Sequence, residues 1–338
     1  MSQDCSLGSC EKPLWSAYDV AMLDLDGVVY IGPDAVEGAA EHLAAAAEAG
    51  MSLAYVTNNA SRPPAAVAAH LVELGMPARA DDVVTSAQAA ARLVADKVPR
   101  GGAVFVIGGE GLFEALEEVG LTPVQRIEDE PVAVVSGYHP DLRWKTVIDG
   151  AILVRAGVPW FASNTDLSVP TRHGPGPGNG VLVGVVAEFA GVDPVVAGKP
   201  EPPLFHETRL RVGGERPLVV GDRLDTDIEG AVRAGYDSLL VMTGVTGLAE
   251  LVAAEPGVRP TYLATTLAGL GLTHVAPAEA DGGWVRAGWR ATTKEGTLRV
   301  EGEGTPDDWL AVVAAAAWSH LDTHGEPVGI DGLELPAG

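Results

Sequence analysis

The chain has 338 residues, 47% of them hydrophobic, which is enough for two or three domains with buried cores. Its 22 basic and 46 acidic residues leave a net charge of −24, a surface that repels nucleic acid and anionic lipid and so excludes both as partners. The best apolar run, Val181–Val192, is too short to span a membrane and carries Glu188.

Residues 1–13 read as a polar, disordered leader without the basic flank and apolar stretch of a signal peptide, so a soluble, cytoplasmic protein is expected. Both cysteines, Cys5 and Cys10, lie in it. A bridge there would staple little, and no His/Cys cluster completes a zinc site. Val20–Leu25 is a short apolar run ending in carboxylates, as in a buried parallel strand. An Ala-rich helix over Glu37–Ala49, a strand over Ser52–Thr57 and a helix over Pro63–Leu74 continue a βαβ rhythm. The rhythm runs on through Val104–Ile107, Gly111–Val119, Pro131–Val135, Trp144–Ala156 and Val158–Ala162, and a Gly/Pro loop at Gly174–Gly180 interrupts it. It resumes with Leu204–Arg211, Leu218–Val220, Leu224–Ala234 and Ser238–Met242. The fold expected is α/β, a doubly wound, Rossmann-like parallel sheet. After about residue 275 the pattern changes: Trp284–Thr293 and Thr297–Glu301 predict a β-hairpin, and Asp307–Leu321 a helix.

Four segments carry the chemistry. In Leu23-Asp24-Leu25-Asp26-Gly27-Val28 the two acids, two residues apart at a strand end, face one spot beyond the sheet, where open α/β sheets bind ligands. They repel each other unless a cation or shared proton intervenes. Thr57-Asn58-Asn59 ends the next strand with hydrogen-bond donors. Ala197-Gly198-Lys199-Pro200 places a lysine in a turn, but its glycine spacing and Pro200 exclude a P-loop. In Gly221-Asp222-Arg223-Leu224-Asp225-Thr226-Asp227 an acid again follows a strand directly; Asp222 is best placed to share a metal with Asp24 and Asp26, and Asp225 reads as a helix-start carboxylate.

This set, in this order, resembles the haloacid dehalogenase superfamily, and within it the branch of p-nitrophenyl phosphatases, phosphoglycolate phosphatases and NagD-type nucleotide phosphatases. The resemblance implies that Asp24 attacks phosphorus and that Asp26 is the general acid and then base. It implies that Asp24, the backbone carbonyl of Asp26 and Asp222 hold Mg²⁺ with Asp227 supporting them, and that Thr57, Asn58, Asn59 and Lys199 bind phosphate. Independently, a carboxylate needs no activating base at neutral pH, and phosphoryl transfer needs its oxygens neutralised.

Between Asn59 and Lys199 lie 139 residues, far more than one crossover needs. The expected division is a core at 14–85 and 184–274, an inserted α/β cap at 86–183, and a small α+β extension at 275–338. Within the cap, Asn164 and Asp166 are candidate substrate contacts, while His139 reads as a loop residue. The branch also implies a homodimer through the cap. Arg299-Val300-Glu301-Gly302-Glu303-Gly304 resembles the pyrophosphate loop of N-acetyltransferases, but the segment is short and two glutamates oppose an anion, so a structural remnant is expected. A partial tail of this kind is similar to that of actinobacterial glycerol 3-phosphate phosphatases, which makes glycerol 3-phosphate the preferred substrate. Phosphoglycolate, nucleoside monophosphates and sugar phosphates stay open, as does an idle metabolite-binding protein.

Overall fold

A computed structural model describes residues 7–171 and 173–336, in two compact units, 1–53 with 214–338 and 54–213. The first begins with α1 (Leu14–Ala17), β1 (Val20–Leu23), a small hairpin of β2 (Tyr30–Ile31) and β3 (Asp34–Ala35), and α2 (Ala39–Glu48). β4 (Ser52–Thr57) leads into the second unit, which starts with α3 (Pro64–Glu73), β5 (Val83–Thr85), α4 (Ser86–Ala95), β6 (Ala103–Ile107) and α5 (Glu110–Glu118). It continues with β7 (Thr122–Val124), β8 (Ala133–Ser136), α6 (Trp144–Arg155), β9 (Trp160–Ala162), β10 (Ser168–Thr171) and β11 (Gly174–Pro177). α7 (Asn179–Ala190), β12 (Val195–Val196) and α8 (Pro203–Val212) complete it. The chain then returns through β13 (Pro217–Gly221), α9 (Glu229–Ala234), β14 (Asp237–Val241), α10 (Leu248–Val252) and β15 (Tyr262–Ala264). It ends in β16 (Ala278–Ala280), β17 (Gly283–Arg286), β18 (Trp289–Lys294), β19 (Thr297–Gly302) and α11 (Pro306–His324).

In the first unit β15, β14, β13 and β1 lie side by side, all parallel. Every residue of β1 and β13 is buried, as in strands covered on both faces. Leu23 pairs with Val220, and the Asp24 amide donates to the Val220 carbonyl at 2.9 Å. The two acid-bearing loops therefore leave the sheet at the same end and at adjacent strands.

The tail differs in detail from the expected hairpin. Trp284–Thr293 is not one strand: the chain turns at Ala287-Gly288, giving an antiparallel sheet β16-β17-β18-β19. α11 is buried on nearly every side, including Trp309, Val312, Val313, Ala317 and Trp318, which marks a helix enclosed by packing rather than one lying on a surface. Its residues share one apolar cluster with Ala291 and Leu298 of the tail sheet and with Leu240, Leu251 and Leu263 of the parallel-sheet region. The Trp318 indole donates to the Leu251 carbonyl at 2.8 Å, and Arg259 grips Asp322 through both guanidinium nitrogens at 2.8 and 2.7 Å.

The leader expectation fails for residues 7–13; residues 1–6, with Cys5, lie outside the described residues. Leu7 is buried in the same cluster, the Gly8 amide donates to the Thr261 carbonyl, and Cys10 and His274 exchange backbone hydrogen bonds. A polar composition hid a segment whose backbone is taken up by a distant loop.

In the second unit β12, β9, β8, β6 and β7 form a parallel sheet in that order. Counted along the chain this is a 2-1-3-4-5 arrangement, a doubly wound sheet in its own right. Its core gathers Phe105, Val134, Val147 and Trp160 together with Val183 and Val186 of α7. The expected cap boundary at residue 183 therefore falls inside α7, and the sheet extends to β12. The Gly/Pro stretch is also more regular than expected, since Gly174–Pro177 pairs with Ser168–Thr171 as a hairpin.

Candidate active site

In the first unit Asp24, Asp222 and Asp227 each bring a carboxylate oxygen within 4.8 Å of the others. Asp24 sits just past β1 and Asp222 just past β13. Asp227 comes from a π-helical turn, Leu224–Ile228, and accepts from the Arg223 amide at 3.2 Å. That turn separates the acids: Asp227 is buried, whereas Asp225 points outward and pairs with Arg223 at 2.8 Å. Asp26 is exposed at the rim, in the turn where the Gly27 amide donates to the Tyr30 carbonyl.

Asp222 is fully buried in a cradle of glycines. Gly27 has φ +89°, and a Cβ there would lie 2.4 Å from Asp222 Oδ2; one on Gly244 would lie 2.0 Å from it. Only glycine lets the backbone come this close. Oδ2 accepts from the Val245 amide at 2.6 Å, while Oδ1 is buried and accepts no hydrogen bond from the described residues. Three clustered carboxylates, with a buried oxygen outside the hydrogen-bond network, fit a hard divalent cation. The segment Thr243-Gly244-Val245, which tethers Gly27 through Thr243 Oγ1 at 2.5 Å, was missed by sequence reasoning. Its signal was a Thr/Gly loop directly after a buried strand.

In the second unit Thr57, Asn58 and Asn59 follow β4, and Lys199 is 3% exposed, with its amide 2.8 Å from Asn58 Oδ1. Thr57 Oγ1 accepts from the Asn59 amide at 3.1 Å, which leaves the hydroxyl hydrogen to donate. Asn59 is tied down locally, its Oδ1 accepting from the amide and hydroxyl of Ser61. Asn164, a candidate substrate contact, makes its side-chain hydrogen bonds within the protein. It is 4% exposed, and its Nδ2 donates to the Asn58 carbonyl at 2.7 Å while its Oδ1 accepts from the Asp166 amide. Asp166 is turned toward Asn58, whose Nδ2 lies 3.1 and 3.2 Å from its two carboxylate oxygens. His139 is a loop residue, accepting from the Asp141 amide through Nδ1.

Comparison with known proteins accords with this geometry. Residues 21–122 match the haloacid dehalogenase-like hydrolase family, residues 196–270 match a second haloacid dehalogenase hydrolase-like family, and residues 286–336 match a GCN5-related N-acetyltransferase-like domain. The chain is 41% identical over 335 residues to the D-glycerol 3-phosphate phosphatase of Mycobacterium tuberculosis, covering 95% of this chain and 92% of that one. A crystal structure of glycerol phosphate phosphatase from that organism, in complex with magnesium, superposes with a TM-score of 0.85 at 40% identity over 94% of each chain. An acid sugar phosphatase of Staphylococcus saprophyticus is 36% identical over 72% of this chain and 93% of its own length.

The acetyltransferase-like match raises acyl-coenzyme A as a ligand for the tail, and the residues there do not fit it. Thr305 caps the N-terminus of α11 by accepting from the Asp308 amide, Asp307 accepts from the amide and hydroxyl of Thr265, and Asp308 pairs with Arg286 at 2.6 Å. The helix end where pyrophosphate would dock already holds two carboxylates. The catalytic signature lies in the remainder of the chain, and by motif, fold and whole-length relatives the chain belongs to the haloacid dehalogenase-like hydrolase family.

Proposed function

We propose that this chain is a magnesium-dependent phosphatase that hydrolyses a small phosphomonoester, glycerol 3-phosphate before phosphoglycolate, nucleoside monophosphates or sugar phosphates. The observation that carries this reading is the carboxylate cluster at the ends of β1 and β13, in a chain whose whole-length relative is a D-glycerol 3-phosphate phosphatase. The core motifs recognise phosphate and leave the alcohol undefined, so the choice of substrate rests on that relative.

In this reading an Asp24 oxygen attacks phosphorus, the bond from phosphorus to the alcohol oxygen breaks, and Asp26 gives the departing oxygen its proton. Water then attacks phosphorus of the aspartyl phosphate while Asp26 takes a proton from it; the bond to Asp24 breaks, releasing phosphate and restoring the carboxylate. Exposure of Asp26 at the rim suits a group that meets the leaving alcohol and then water. Mg²⁺ held by Asp24, the Asp26 carbonyl and Asp222, with Asp227 behind them, supplies neutralising charge for the phosphoryl oxygens. Thr57, Asn59 and Lys199 are the phosphate-binding groups, and in a chain of charge −24 Lys199 supplies positive charge for an anionic substrate.

No helix among the described residues is long and apolar enough to cross a membrane, and the reading places the enzyme in the cytoplasm with small phosphorylated metabolites. It also includes a homodimer through the cap. α6 exposes Trp144, Ile148 and Ile152, and neighbouring α7 exposes Val181, Val185 and Phe189, each set at helical spacing. Such stripes exceed scattered single exposure, and the charges beside them, Lys145 and Asp149, neutralise one another. Sedimentation should give a dimer that Ile148→Glu converts to monomer; a wild-type monomer at micromolar concentration would remove this part.

The experiment for the function is hydrolysis of a panel of phosphorylated metabolites with and without Mg²⁺, ranked by kcat/KM. Glycerol 3-phosphate should lead, and activity should vanish with chelator. Activity on none of the panel, nor on p-nitrophenyl phosphate, would sink the phosphatase reading.

A further inference from the structure

The side chain of Asn58 makes its hydrogen bonds to protein groups. A carboxamide has one acceptor oxygen and two N–H donors. Asn58 Oδ1 accepts from the Lys199 amide at 2.8 Å, and Nδ2 donates to the Lys199 carbonyl at 3.0 Å and to the Asp166 carboxylate at 3.1 and 3.2 Å. Both N–H groups are thereby engaged. The backbone carbonyl of Asn58 is held as well, by Asn164 Nδ2 at 2.7 Å and Ser86 Oγ at 2.5 Å.

We propose that the Asn58 side chain is a positioning group that holds Lys199, and not a phosphate ligand. Lys199 stands in a turn between Gly198 and Pro200. The Asn58 side chain meets both the N–H and the C=O of this one residue, as a neighbouring strand would. Close approach is built in: a Cβ on Gly198 would lie 2.5 Å from Asn58 Oδ1. Aspartate would keep the acceptor, lose both donors and set a second negative charge against Asp166. The bracket also explains why Asn164 and Asp166 lie here, since they anchor the segment after β9 to the same residue. Fixing the Lys199 backbone fixes the root of its buried side chain and hence the place of the ammonium group.

The inference rests on Lys199 binding phosphate, and the test separates the two. Asn58→Asp, Asp166→Asn and the double variant are compared by kcat/KM on p-nitrophenyl phosphate, by inhibition with inorganic phosphate, by the Mg²⁺ activation constant and by thermal melting. Asn58→Asp should lower kcat/KM by about 10²-fold, the scale of a misplaced catalytic group. It should weaken phosphate inhibition and leave Mg²⁺ activation unchanged. The double variant restores the contact between positions 58 and 166 with donor and acceptor exchanged, and should recover at least about tenfold of that loss. If it recovers nothing, Asn58 touches phosphate and the inference is overturned; unchanged phosphate inhibition in Asn58→Asp overturns it equally. Should Asn58→Asp not fold, Asn58→Ser, which removes the carboxamide without adding charge, must show the same weakening of phosphate inhibition. Lys199→Ala with undiminished phosphate inhibition would instead refute the assignment of Lys199 itself.

Discussion

The carboxylate corner and the Lys199 bracket solve opposite electrostatic problems. Around Asp222 the protein gathers three acids within 4.8 Å, lines them with Gly27 and Gly244, and leaves a buried oxygen outside the hydrogen-bond network. Around Lys199 it uses mainly neutral amides, with one acid, Asp166, held on Asn58 Nδ2. Asn58, Asn164 and Asn179 link one another's side chains and backbones, the last through Nδ2 to the Asn164 carbonyl. The first is a set of like charges that a cation completes. The second is joined by hydrogen bonds among its own groups around one buried ammonium. Asn179 Oδ1 is the one oxygen of these three amides that is buried without a hydrogen-bond partner among the described residues. Clustered acids leave part of their stabilisation to the ligand, whereas amides, each both donor and acceptor, can bond one another without one.

The sharpest break in this contrast is at the nucleophile. Asp24→Asn should reduce turnover to background and abolish trapping of the aspartyl phosphate, because an amide is a poor nucleophile. Residual activity of more than a few per cent of wild type, in protein free of deamidation, would contradict the role of Asp24.

Gly27→Ala tests the corner without touching an acid. A Cβ pressed on Asp222 Oδ2, at a φ of +89°, must displace the carboxylate. The Mg²⁺ activation constant should rise about 10–100-fold, the usual penalty for disturbing the groups that orient a metal ligand. The Kd for inorganic phosphate, measured by calorimetry on the metal-free protein, should hold steady. A change confined to phosphate would mean that the corner is not where the metal binds.

The tail sharpens the comparison from outside the site. Trp318→Ala removes a 2%-exposed indole and its bond to Leu251, and should cost about 3–5 kcal/mol of stability. At temperatures where the variant is folded, kcat should match wild type. Calorimetry with acetyl-coenzyme A should detect no binding, and micromolar binding lost in Arg299→Ala would overturn the structural reading of the tail.

The smallest expected effect concerns pH. Burial lowers the pKa of His274 below its ordinary value, so the unfolded chain binds a proton more readily than the folded one. Stability should therefore be intact above the ordinary histidine range and decline as pH falls through it, until the folded-state value is passed. His274→Asn should flatten the melting temperature between neutral pH and pH 5. An equally steep decline in the variant would assign the pH dependence to other groups.

Much of this protein was written locally. The βαβ rhythm and the acids at the ends of β1 and β13 follow from periods and positions within a few residues, where backbone geometry alone determines direction. Contacts across long separations were not legible. Asn58 reads as a phosphate donor beside Thr57, and only its partners 108 and 141 residues away make it a clamp. Asn164 reads as a cap contact for the same reason. Leu7–Pro13 looks like a loose leader until Thr261 and His274 accept and donate its backbone bonds. Composition records which groups a residue can offer. Which group receives them is a matter of tertiary structure, because one amide can face solvent, ligand or backbone at little difference in local energy, and burial decides among them.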